Sequence, residues 1–215
     1  MRKRAEQVDH TRQRIVQATV HLHGTVGPAA TTIAGIAEQA GVTRLTVYRH
    51  FPDEEALYAA CSTHWMSEQV PPDLDAWARI TDPSERLRAG LADLYRFYRQ
   101  GAAMLTRVHR DRQALPQQLQ RTMDSTDSHY QDVLLEPFAG TRAQRRRLRA
   151  VLGHAVSFST WRSLCIEHGL SEREAVDAMA TLALTTAATP TSPPRPLPPA
   201  KQPSPLPGAS PAVVG

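Results

Sequence analysis

The chain has 215 residues, 41% of them apolar, and a formal charge of +4. That length bounds it to one medium core, or one small and one medium core. No apolar run approaches the roughly eighteen residues of a membrane span, which excludes a membrane partner, and the two cysteines, Cys61 and Cys165, supply neither a disulfide framework nor metal-ligand spacing and predict a reduced, cytoplasmic protein.

The charge is unevenly spread: residues 1–50 hold seven Lys/Arg against three Asp/Glu, and Arg142 to Arg149 adds five arginines with no acid. A basic end suits a nucleic-acid partner, and equally a solvated tail or helix start. Met1-Arg2-Lys3-Arg4 is followed by polar residues, unlike a secretory signal. Residues 1–8 read as a flexible basic arm, free or inserted into a minor groove.

The first helix is expected from Asp9 to His23, with Ile15, Ala18, Thr19 and Leu22 as its inward stripe. His21 and His23 are two apart and face different ways, so they form no metal site with His10. Gly24 to Ala30 forms a loop. Ile33, Ile36, Ala37 and Ala40 then recur at the spacing of a short amphipathic helix, which Thr31 or Thr32 can cap. Gly41 ends it, because only glycine enters a left-handed turn without a side-chain clash. Thr43 caps a third helix, Arg44 to about His50. Helix, glycine turn and helix within residues 32–51 make the layout of a helix-turn-helix.

Val42, Val47 and Phe51 can point inward from that third helix. Thr43, Arg44, Leu45, Thr46, Tyr48, Arg49 and His50 are left outside, with no acid among them. Arginine can fork onto a guanine edge, hydroxyls can reach phosphates or bases, and Leu45 can meet a thymine methyl group. The pattern alone also fits a helical hairpin with a solvated basic face.

Asp53 caps a fourth helix, 53–69, whose Leu57, Cys61, His64 and Trp65 share a face and which stops at Pro71-Pro72. Residues 73–83 read as a connector. Further helices are predicted at Ser84–Gln100, from Ala102 to about Gln113, from about Gln117 to Glu136, at Arg142–Glu167 and from Ser171 to about Ala188. Ser171 and Glu174 form a capping-box pair. Nothing reads as a strand, so the fold class is all-α. From Thr189 onward the composition changes: ten of the seventeen prolines fall in the last 27 residues, which predicts a disordered tail. No nucleophile elbow, phosphate loop or metal-ligand motif supports catalysis.

The run Ala40 to Leu57, AGVTRLTVYRHFPDEEAL, resembles the TetR family of bacterial transcriptional regulators. The layout before it is similar too, with a helix opening at Thr11-Arg12-Gln13-Arg14-Ile15 and Gly27 shortly ahead of Thr31-Thr32. The resemblance covers about residues 9–67. His23 stands where an aromatic usually closes the first helix, Pro28 where an aromatic often follows the glycine, and Glu54 where lysine often meets phosphate.

The resemblance implies a helix-turn-helix domain over 9–52 and a helical effector-binding and dimerisation domain over 53–188, which includes the linking helix. Thr43 and Arg44 would enter the major groove with Leu45 and Thr46. Tyr48 and His50 would lie against phosphates, and Thr32 would cap the supporting helix beside the backbone. Tyr95, Tyr98 and Met104 would lie on helices around an effector cavity, as would His109, Tyr130, Phe158 and Trp161, with an apolar or aromatic compound as the default ligand. Val151, Leu152 and Ala155 would form a dimer seam with Ala175, Met179 and Leu182. No cofactor or metal is implied. The expected protein is a ligand-responsive repressor that binds a palindromic double-stranded operator as a homodimer. A DNA-coating protein without an effector and an all-α enzyme are the alternatives.

Overall fold

The computed structural model describes residues 2–189. Among them there are helices and turns and no strand. The helices are α1 (Arg2–Thr25), α2 (Ile33–Ala40), α3 (Arg44–His50), α4 (Glu54–Ser67), α5 (Leu74–Arg79), α6 (Pro83–Gln100), α7 (Ala102–Arg110), α8 (Gln117–Leu135), α9 (Arg142–Ala155), α10 (Phe158–Trp161) and α11 (Glu172–Ala188). The part of the proline-rich tail beyond Thr189 lies outside the described residues.

Two apolar clusters divide the chain. The smaller gathers Ile15, Val16 and Ala18 of α1 with Ile36, Ala37 and Ala40 of α2, then Val47, Phe51 and Leu57. It joins α1, α2 and α3 into the head and recruits the first half of α4 as a fourth wall. The larger is built from α5, α6, α8, α9, α10 and α11, around Leu87, Leu91, Leu94, Leu134, Leu152 and Trp161. Helix α11 packs across α6 and α9, while α1 touches both α4 and α7.

Local chemistry explains most helix ends. Asp53, Asp73 and Asp82 each accept an N–H from the first turn of α4, α5 and α6. Thr141 with Gln144 and Ser171 with Glu174 complete capping boxes.

Four expectations need correction. Helix α1 begins at Arg2, so residues 2–8 are its first turns rather than a separate arm. The 73–83 connector contains α5, whose Trp77 is 2% exposed and donates its indole N–H to Asp93 at 3.0 Å. Helix α7 ends at Arg110, and a tight turn over Arg112–Ala114 follows it. The helix expected over 142–167 breaks after Ala155, restarts at a Ser157 cap, and continues from α10 as a wide-turn segment, Arg162–Glu167. The break has a clear cause. Tyr95 and Tyr98 of α6 donate their hydroxyls to the carbonyls of Ala155 and Val156, at 2.8 and 2.6 Å. Side chains from another helix thus replace the N–H groups that an unbroken helix would supply.

Candidate nucleic-acid interface and cavity

The helix-turn-helix is held by the groups its sequence singles out. Thr32 Oγ1 accepts the Gly35 N–H at 3.1 Å, and Thr43 Oγ1 accepts the Thr46 N–H at 3.2 Å. Gly41 takes the left-handed conformation at φ 63°, ψ 41°. The Val42 N–H then reaches back to the Ala37 carbonyl at 2.9 Å, closing the helix end. Arg14 donates to the carbonyls of Ala40 and Gly41, a cation at the negative end of α2. Together these contacts fix the angle of α3 against α2.

One side of α3 is buried through Val47, with Phe51 sealing its end under the Arg12 guanidinium, 4.7 Å from the ring centre. The other side is open. Thr32, Thr43, Arg44, Leu45, Tyr48 and Arg49 are exposed, and Thr46 and His50 are half-buried. Leu45 is 76% exposed, an isolated apolar tip on a polar face. Arg44 and Arg49 have no ion pair among the described residues. Burial, then the charges of Arg49 and Arg12, pushes the His50 imidazole below its ordinary pKa. None of the eight residues expected to meet DNA is buried, and the seven between Thr43 and His50 follow one short helix with two arginines and no acid.

Behind the head, α1, α4, α6, α7 and α8 line a partly open cavity of about 360 Å³. Four of the seven expected ligand residues border it: Tyr98, Met104, His109 and Tyr130. Tyr95, Phe158 and Trp161 do not. They are packed in the larger core, where Tyr98 meets the Phe158 ring edge-on at 5.4 Å. The sequence reading missed a second wall. Tyr58, Trp65 and Met66 of α4 face the space, as do His23 of α1 and Met123 and Asp127 of α8. The adjacent 58/62/66 stripe on α4 was the available signal.

His23 is 4% exposed, with Nδ1 at 3.5 Å from the Cys61 Sγ. Its Nε2 is buried without a hydrogen-bond partner. Burial pushes its pKa down to about 4 against the raising effect of Asp111. His109 stacks on Phe158 at 4.7 Å and is likewise pushed down to about 4, by burial and then by Arg112. Both imidazoles are therefore neutral at neutral pH. Burial also pushes the Cys61 thiol up to about 12, so it stays protonated.

The C-terminal end of α7 grips the loop between α1 and α2. Arg107 Nε donates to the Thr25 carbonyl at 2.8 Å, and Arg110 Nη2 to the Val26 carbonyl at 2.9 Å. Asp111 accepts the Ala29 N–H at 3.1 Å and is held by Arg110 at 2.7 and 2.9 Å. The same helix lines the cavity through Met104 and His109.

The expected dimer residues divide in the same way. Leu152, Ala155 and Ala175 are fully buried inside the single chain and cannot face a partner. Val151 and Met179 are half-buried, and Leu182 is 44% exposed. Among the described residues no group of three or more His, Cys, Asp or Glu could hold a metal ion, and no helix is long and apolar enough to cross a membrane.

The fold and the open face of α3 define a helix-turn-helix head on a helical body. Residues 15–61 match the family described as bacterial regulatory proteins, tetR family. The chain is 36% identical over 58 residues to the HTH-type transcriptional regulator AcrR of Shigella flexneri, covering 27% of each protein. It is 40% identical over 75 residues to the HTH-type transcriptional regulator SrpR of Pseudomonas putida, covering 34% of this chain and 33% of that one. The match thus spans about a quarter to a third of the length of these curated relatives. The crystal structure of a TetR-like transcriptional regulator from Rhodococcus sp. RHA1 shares the fold, with a TM-score of 0.57 at 20% identity over 83% of this chain and 96% of that one.

Proposed function

We propose that this chain is a cytoplasmic transcriptional regulator, not an enzyme, that binds a palindromic operator as a homodimer and is released from it by a small molecule. The observation that carries this reading is the open side of α3 and its Thr43 cap, where Thr43, Arg44, Leu45, Tyr48 and Arg49 are exposed, Thr46 and His50 are half-buried, and none is acidic. Thr43, Arg44, Leu45 and Thr46 would address base edges, and Tyr48, Arg49 and His50 the phosphates.

A two-fold contact would place one α3 in each of two successive major grooves. Ala178 and Leu182, exposed on α11, with the half-buried Val151 of α9 and Met179, are the apolar surface available for it. The cavity is the effector site in this reading. It borders both α4, which leaves the head, and α7, which grips the α1–α2 loop. A molecule that shifts either helix would shift α3, and a few kcal/mol of differential affinity between the two states is enough for release.

The test is a DNA titration with the duplex flanking the protein's own gene against a shuffled duplex of equal length. A regulator favours its operator by ~10³-fold or more, whereas a coating protein binds both alike. Arg44→Ala is expected to lose ~1–3 kcal/mol on the operator and to relax preference at one base pair. An equal loss on every sequence would make Arg44 a phosphate contact instead.

A further inference from the structure

Among the described residues Asp127 is the one carboxylate that borders the cavity, and no lysine or arginine borders it. It lies mid-way along α8 and accepts no hydrogen bond from any described residue. The cation that acts on it, Arg112, is already engaged, because its Nη2 donates to Asp124 at 2.7 Å and to the Gln120 carbonyl at 3.2 Å. Burial pushes the Asp127 carboxyl up to about 6, with Asp124 adding to the rise and Arg112 opposing it. At neutral pH the group is still ionised, in a space walled mostly by apolar atoms. Asp127 is half-buried, so its ionised carboxylate is only partly hydrated there, and a cation would relieve the loss.

The rest of the described lining carries no positive charge to balance an anion. His23 and His109 are neutral at neutral pH and offer no positive charge to an anion. The Tyr98 hydroxyl is given to the Val156 carbonyl, and those of Thr122 and Thr126 to their own helix. Trp65, Phe97, Tyr98 and Tyr130 supply aromatic surface, which attracts cations as well as apolar bodies.

We propose that the occupant of this cavity is a lipophilic organic cation, an aromatic or aliphatic body bearing one ammonium group that seats against Asp127. A carboxylate ligand of the same body is rejected. The proposal rests on the reading of the cavity as the effector site.

Calorimetric titration of the full chain with three matched probes separates the two ideas: naphthylethylammonium, naphthylethanol and naphthylacetate, at neutral pH. The ammonium is expected to bind about ten- to a hundredfold tighter than the alcohol, as befits a charge-assisted hydrogen bond, and the acetate most weakly. Asp127→Asn is expected to erase the ammonium's advantage. Equal binding of ammonium and alcohol overturns the cation proposal and leaves the effector site standing, as does an advantage that survives in D127N. No binding by any of the three overturns both. The comparison among probes uses the unaltered protein and does not depend on how the variant folds.

Discussion

Acidification from neutral pH to about pH 5 is expected to lower the unfolding free energy by roughly 2–3 kcal/mol. The largest contributions come from the pair of buried imidazoles at the cavity, and His50, also lowered, adds in the same direction. His23 and His109 are each pushed from 6.5 to about 4 in the folded chain. Between those values the unfolded chain binds the extra proton and the folded chain does not, so stability is lost as the pH falls. Each histidine contributes roughly 2 kcal/mol over this range. Asp127 works the other way. Its folded pKa is raised, so protonation below about 6 favours the fold and offsets roughly 1 kcal/mol of the loss. The carboxylates whose pKa values are lowered, Asp93, Asp111 and Glu174, give up their contribution only at more acid pH. Denaturant unfolding at the two pH values measures the difference. His109→Phe keeps the stack on Phe158 and removes one titrating ring. It should remove a large part of the acid sensitivity, and an unchanged pH dependence would refute the assignment.

The head was legible because its structure is set by neighbours in sequence. Thr32, Gly41 and Thr43 act within three or four residues of themselves, so their spacing is enough to locate α2, the turn and α3. The Ser171–Glu174 box at the start of α11 was readable for the same reason. The break at Ser157 was not, because its cause lies some 60 residues away in the hydroxyls of Tyr95 and Tyr98. Helix α5 was hidden behind a proline pair and a short run, and its Trp77 is fixed by Asp93 and by close approach to Gly90. The cavity was half legible. Aromatics at helical spacing point inward whether they line a void or fill a core, and sequence does not distinguish Tyr130 from Trp161. Helix α4 defeats a one-stripe reading because Leu57 packs into the head while Tyr58 faces the cavity. Three of the six dimer residues, Leu152, Ala155 and Ala175, are buried for a similar reason, since a small apolar stripe on α9 and α11 serves the larger core first.

Gly27→Ala is expected to cost about 2–4 kcal/mol and to loosen the head from the body. Gly27 sits at φ 97° and ψ 160°, a conformation closed to residues with a side chain. A Cβ there would also lie 2.3 Å from Arg110 Nη2 and 2.3 Å from Asp111 Oδ2. The strain and the collision are separable. Gly169 has a φ of 70° with nothing within 4 Å of a built Cβ, so Gly169→Ala incurs backbone strain alone, about 1 kcal/mol. The excess at Gly27 combines its more strained backbone with the collision against the Arg110–Asp111 cluster, and the Asp111→Ala background separates the two. Asp111→Ala removes the Ala29 contact and one side of the collision, so the double variant should be less destabilised than the two single changes together. If Gly27→Ala and Gly169→Ala cost the same, the Arg110–Asp111 cluster yields freely and cannot transmit force. If the Asp111→Ala background removes part of the excess, the loop that leads into the DNA-reading helices is clamped by the helix that walls the cavity. A molecule in that cavity then has a second route to α3 besides α4, through Arg107, Arg110 and Asp111.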